Sequence, residues 1–160
     1  MTIDRDQRRA HLHLVIDRLE ERLAELTACK PRRRSEFKPV PEVPAIYLLS
    51  KGNRPVYVGR TDNLRDRLAG HMRPSSRSNS ASFAFRLALD DAKGKGIDID
   101  KPRGVLEADP DFQPFFLAAK ERVSNMQIKY IELEDPIEQT IFEVYAAESL
   151  GTPYNSFENH

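Results

Sequence analysis

Between Asp4 and about Ala28, the apolar residues Leu12, Ile16, Leu19, Leu23 and Leu26 recur at 4-3-4-3 spacing with charged residues between them. That period predicts one amphipathic helix whose stripe needs a partner surface. Two heptads are too few for a coiled coil, so the stripe either packs on its own domain or joins a second copy of the chain in a homodimer. Lys30 to Pro44 then brings together Pro31, Pro39, Pro41, Pro44 and the run Arg32-Arg33-Arg34. Proline blocks helix and removes ladder donors, which makes this segment a basic linker.

Ala45–Leu49 and Val56–Gly59 are apolar and rich in β formers, and Ser50–Pro55 between them carries the Gly and Asn of a turn, so the pair predicts a hairpin. Thr61 or Asp62 can cap a following helix that buries Leu64 and Leu68 and runs to about Met72. Residues 74–82 (PSSRSNSAS) lack periodicity and read as a mobile loop. Further helices are expected at about 83–93 and 110–123, with loop at 98–104. A third strand is expected at 126–133, with Ile128, Tyr130 and Glu132 on one face. Asp135-Pro136 opens a last helix that Gly151 closes. The sum is an α/β (α+β) chain: an amphipathic helix at 1–29, a linker at 30–42, and a domain over 43–160 with an insertion at about 74–125.

Composition narrows the class. The 160 residues, 39% apolar and 31% charged, suit one packed domain with a solvated surface. No window approaches the ~18 consecutive apolar residues of a membrane span, and the charged N-terminus does not read as a signal peptide, so a cytoplasmic protein with no membrane partner is expected. The single cysteine, Cys29, and four scattered histidines exclude an internal disulfide and a CxxC zinc site. Zero net charge hides an asymmetry: residues 1–80 hold 17 Lys and Arg against 10 Asp and Glu, while residues 81–160 hold 8 against 15. A basic half is an electrostatic footprint for a polyanion.

Helical spacing puts Arg67 and His71 at i and i+4, with Arg60 two turns earlier, so the three are expected to form a cationic edge while Leu64 and Leu68 face inward. Gly59 lets the chain turn sharply out of its strand, toward a helix N-terminus that offers free N–H groups to an anion. Taken alone, the same residues also read as a solvated helix face beside two core tyrosines.

Ala45-Ile46-Tyr47, followed ten residues on by Tyr57-Val58-Gly59, then by Arg60 to Leu68 and His71, resembles the GIY-YIG nuclease family. A helical glutamate twelve residues before an asparagine extends the resemblance: Glu143 and Asn155, with Pro153-Tyr154-Asn155 like the family's closing segment. It covers about residues 43–158, interrupted between Met72 and Met126, with Ala45 and Val58 as small departures. The resemblance implies a small domain with a central three-stranded antiparallel sheet flanked by helices, and hydrolysis of a phosphodiester in DNA.

By that resemblance Glu143 holds one divalent metal, Mg²⁺ or Mn²⁺, whose preference for hard oxygen ligands suits carboxylate, water and phosphate. Arg67 stabilises the pentacoordinate charge with a planar fork that lysine lacks. Tyr47 or Tyr57 orients or deprotonates the attacking water, and the choice between them stays open. Arg60 and His71 are the cationic neighbours a phenol base needs, His71 being also a candidate proton relay or phosphate ligand. Asn155 orients water or phosphate. Glu143 has a rival in Glu148, which a helical wheel places on the stripe of Ile137, Ile141 and Val144; the spacing to Asn155 favours Glu143. The expected function is a metal-dependent DNA endonuclease, with two alternatives: a catalytically inactive nucleic-acid-binding module of the same fold, and a helical oligomerisation protein built on residues 4–28. The basic segment 30–38, the loop with Arg73 and Arg77, and the insertion are candidate grips on the duplex.

Overall fold

A computed structural model describes residues 2–157; Met1 and the last three positions of the expected 43–160 domain lie outside them. Strands β1 (Ala45–Lys51), β2 (Arg54–Thr61) and β3 (Gln127–Glu132) form an antiparallel sheet in the order β2-β1-β3. The β1-β2 hairpin turns through Gly52, whose φ of 61° lies in the left-handed region that glycine adopts without penalty. Its ladder runs to Ala45↔Thr61, so Gly59 sits inside the strand rather than at its exit.

The central strand β1 is buried from Ala45 to Ser50, and alternation along it feeds two layers. Tyr47 and Leu49 join Ile128 in one, packed by helices α3 (Leu64–Met72), α4 (Ser82–Gly94) and α6 (Gln113–Ser124). Ile46 and Leu48 join Val58 and Ile131 in the other, under α2 (Leu19–Ala28) and α7 (Pro136–Leu150). Asn63, rather than Thr61 or Asp62, caps α3: its side-chain oxygen accepts from the Asp66 N–H at 3.2 Å, while Thr61 Oγ1 accepts from the Asn63 N–H. A short helix, α5 (Arg103–Ala108), starts within the expected loop.

The single N-terminal helix expected over 4–28 is divided at Arg18 into α1 (Arg5–Asp17) and α2. The stripe divides with it. Leu26 is fully buried and Leu19 and Leu23 pack beside it, whereas Leu12 and Ile16 stay 41% and 56% exposed. Burying one leucine is worth roughly 1.5–3 kcal/mol, and α2 adds an ion pair between Arg22 Nε and Glu138 Oε1 at 3.0 Å, Glu138 being buried on α7.

Both sheet edges are covered. Arg32 of the linker exchanges backbone hydrogen bonds with Ile128 on β3, at 3.0 and 2.7 Å. On β2 the C-terminal segment does the same work: the Tyr154 N–H donates to Val56 O at 3.3 Å, and the Asn155 side chain pairs with both backbone groups of Val58. Such cover removes an unpaired row that would otherwise template aggregation.

Residues 74–82, expected to be mobile, are pinned instead. Lys120 Nζ donates to Pro74 O and Ser76 O at 2.5 and 2.9 Å, Glu107 accepts from the Ser78 N–H, and Arg67 donates to Ser80 O. A serine-rich stretch carries no period of its own, so partners from distant helices decide its order.

Candidate active site

Tyr47 stands in the middle of the sheet with no exposure, opposite Gly59 in the register. The phenol lies where a side chain at Gly59 would be: a Cβ there would come within 2.2 Å of the Tyr47 hydroxyl and 2.3 Å of its Cζ. Glycine at 59 therefore makes room for the ring instead of turning the chain. The hydroxyl is held from α3, 2.7 Å from His71 Nε2 and accepting from Arg67 Nε at 3.2 Å.

Arg67 is half-buried and anchored on three sides, since it also donates to Ser80 O at 3.2 Å and Ser82 Oγ at 3.5 Å. A guanidinium has five N–H donors, so two remain for a ligand. His71 is fully buried, and burial, aided by the Arg67 charge, lowers its pKa to about 3. The imidazole is neutral at pH 7 and shut away from solvent. Arg60 projects with the other layer, its register partner being Ile46. The cationic edge expected from helical spacing thus dissolves into a buried neutral histidine, an anchored Arg67 and an Arg60 beyond the sheet, because strand alternation, not helical period, places residue 60. Burial also raises the Tyr47 pKa, a neighbouring Tyr57 adding to it and Arg67 opposing it, which disfavours a phenolate at that position.

Tyr57 differs from Tyr47. It is half-buried, its ring 6.2 Å from that of Tyr47 and stacked on Phe83 at 4.8 Å and 9°. It lines an open recess of about 280 Å³ together with Glu143, Arg86, Arg103, Tyr154 and Phe157. Glu143 arrives from the opposite layer by way of α7, which packs along β2. At an edge strand such as β2, residues from both faces can meet. The Glu143 side chain keeps 20% exposure, and its Oε2 lies 3.3 Å from Arg60 Nε. Burial raises its pKa, with Arg60 and, more weakly, Arg67 pulling it down. The two acids differ in burial. Phe142 and Ala146 face inward, whereas Ile137 and Val144 are exposed, so the stripe shared by Glu148 is the solvent face, and Glu148 is exposed with it.

Asn155 reaches the same recess, but its amide is engaged: Oδ1 accepts from the Val58 N–H at 2.9 Å and from Thr152 Oγ1 at 2.7 Å, and Nδ2 donates to Val58 O at 2.8 Å. It ties the C-terminal segment to β2 at the lip of the recess. The Tyr57–Phe83 stack and the anchors Ser80 and Ser82 were not visible beforehand, since a loop without period gives no signal of what it will touch. Among the described residues no group of three or more His, Cys, Asp or Glu side chains is gathered as a metal site. Glu143 is the one carboxylate among the described residues that lines the recess, able to offer an oxygen to a cation that draws its other ligands from water and phosphate.

His71 carries a prediction for stability. Its folded pKa lies below the unfolded value of 6.5, so between pH 6.5 and about 3 the unfolded chain binds the extra proton. The contribution is fully present above pH 6.5 and is lost on acidification, by on the order of 1 kcal/mol per pH unit. Denaturant melts of wild type and His71→Gln between pH 7.5 and 5 should show the slope flatten in the variant; parallel slopes would refute the assignment.

A comparison with curated proteins finds UvrABC system protein C of Aquifex aeolicus (strain VF5), 30% identical over 102 residues, which is 55% of this chain and 18% of that protein. The chain therefore spans less than a fifth of the relative it matches. No family model matches, and no solved structure matches. No helix among the described residues is long and apolar enough to cross a membrane.

Proposed function

We propose that this chain is a metal-dependent DNA endonuclease of the GIY-YIG type. The observation that carries the reading is the meeting, in the recess at the edge of β2, of a half-buried carboxylate from one layer with the Tyr57 phenol from the other, within the electrostatic reach of the anchored Arg67 guanidinium. Similarity to a component of the UvrABC system supports it, as does the order of the two tripeptides, Arg67, Glu143 and Asn155 along the chain.

Glu143 is the residue that would hold Mg²⁺ or Mn²⁺, and the ion would supply Lewis-acid polarisation of a phosphate oxygen. The chain's own residues do the rest. Arg67 offers its two remaining N–H donors to the equatorial phosphate oxygens, where charge builds as water attacks phosphorus and the P–O bond to the leaving sugar oxygen breaks. Tyr57, open to the recess, accepts a hydrogen bond from the attacking water and orients it. Tyr47 and His71 are positioning residues: they fix Arg67 through the Tyr47 hydroxyl. Asn155 positions as well, holding the segment that walls the recess. Arg60 pairs with Glu143 in the free protein, so a cation or a substrate phosphate competes with that contact.

That ion pair also favours a second reading, a nucleic-acid-binding module of the same fold in which Arg60 keeps the carboxylate occupied. A supercoiled-plasmid nicking assay in Mg²⁺ or Mn²⁺ separates the two. Nicking that chelation abolishes supports the endonuclease; salt-sensitive DNA binding without nicking in either metal supports the module.

A further inference from the structure

The recess continues past Tyr57 and Glu143 between α4, α5 and the C-terminal segment, where Tyr154 and Asn155 are the further motif residues in its lining. Arg86, on α4, spends one N–H on Tyr154 O. Arg103, at the start of α5, is exposed, with its guanidinium carbon over the Phe85 ring at 5.1 Å from its centre. Neither is ion-paired to a carboxylate among the described residues. Glu107, one turn beyond Arg103, is taken by the Ser78 N–H and by Arg77 at 3.8 Å. Glu143, the one acid among the described residues that lines the recess, has Arg60 at 3.3 Å. Among the described residues the recess is therefore left with two guanidiniums that no carboxylate pairs directly, Arg103 feeling Glu107 only at longer range, and arginine is the residue type suited to planar recognition of phosphate oxygens. In the same lining Phe157 keeps 49% of its surface open and Tyr154 is half-buried, and an exposed aromatic ring beside a cationic wall is how proteins stack a single base. A space of about 280 Å³ is at the small end for a ligand pocket and cannot admit a duplex.

We propose that this recess receives one unpaired nucleotide of the DNA next to the bond that is cut, its phosphate held by Arg103 and Arg86 and its base laid against Phe157. The substrate class is then DNA with a displaced or bulged nucleotide, and the insertion at 74–125 supplies the recognition through α4 and α5. This rests on the endonuclease reading for the position of the cut, but nucleotide capture is measurable without it. Guanidinium and ring are each surface groups, so their removal spares the core.

The test uses the full chain and two readouts. Without metal, fluorescence anisotropy of a fluorescein-labelled oligothymidylate should show binding weakened about tenfold by Arg103→Ala and by Phe157→Ala, with Arg103→Lys intermediate. With Mg²⁺ or Mn²⁺, a duplex carrying a one-nucleotide bulge should be cut faster than the same duplex fully paired, and both alanine variants should shrink that preference. Oligothymidylate binding and bulge preference indifferent to both substitutions would overturn the proposal, while Glu143-dependent cutting of the paired duplex would leave the endonuclease reading standing. Binding that needs Arg103 and Phe157 in a protein that cuts neither duplex would uphold the nucleotide site and remove the endonuclease.

Discussion

Glu143→Gln is expected to lower nicking by roughly 10²–10³-fold, the scale of removing one preorganised electrostatic contact from a reacting centre, while leaving thermal stability nearly unchanged. The substitution keeps shape and deletes charge. The carboxylate is held above its ordinary pKa by burial, so a neutral amide is no harder to house. The Arg60 left behind is 45% exposed and well hydrated, and such surface pairs contribute about 0–1 kcal/mol. Arg67→Ala should cost the same order in rate but also roughly 1–2 kcal/mol in stability, because the hydrogen bonds to Tyr47, Ser80 and Ser82 go with the guanidinium. Arg67→Lys should not restore activity, since one ammonium cannot hold three anchors and still present a fork. Plasmid nicking beside thermal melts of each variant reads both quantities. A Glu143→Gln protein that nicks within threefold of wild type would remove the carboxylate, and the endonuclease with it.

Gly59→Ala should be the most damaging small substitution in the chain. Its added methyl would sit 2.2 Å from the Tyr47 hydroxyl and 2.3 Å from Cζ, far inside contact distance. The ring has nowhere to retreat, being fully buried with its hydroxyl held by His71 and Arg67. Overpacking of this kind costs roughly 1–3 kcal/mol or more, which for a domain of this size is a fall in Tm of roughly 2–12 °C. Relief by tilting the phenol would release Arg67, so activity should drop further than stability alone explains. A shorter residue at 47 should absorb part of the strain, making Tyr47→Leu/Gly59→Ala less destabilised than the sum of its single changes. Calorimetric melts of the four proteins check this; a Gly59→Ala melt equal to wild type would show that the ring does not occupy that space.

The hairpin, the third strand and the last helix were legible because each rests on local signals: β-rich apolar runs around Gly52, alternation through Ile128 and Tyr130, and the Asp135-Pro136 start with Gly151 at the end. The site was legible only as a set of candidates. Helical spacing grouped Arg60, Arg67 and His71, yet one lies on a strand facing the other layer and one is buried and neutral. The wheel of α7 put Glu148 on an apolar stripe, but that stripe, with Ile137 and Val144, faces solvent. Period reports that a helix has two faces; it does not report which face the fold covers.

Local chemistry along the chain, then, was enough to determine the order of the three strands and of the longer helices, though not the break at Arg18 or the short α5, and to nominate Tyr57, Arg67 and Glu143, since turns and alternation are settled within a few residues. Assigning those residues their surroundings was left to tertiary packing. It buried Tyr47 and His71 together, opened Tyr57 to a recess, turned Asn155 to the backbone of β2, and brought Glu143 around an edge strand from the opposite layer. Burial, charge pairing and access depend on groups far apart in the chain, such as Val58 and Asn155, which meet only when the sheet and its two layers close.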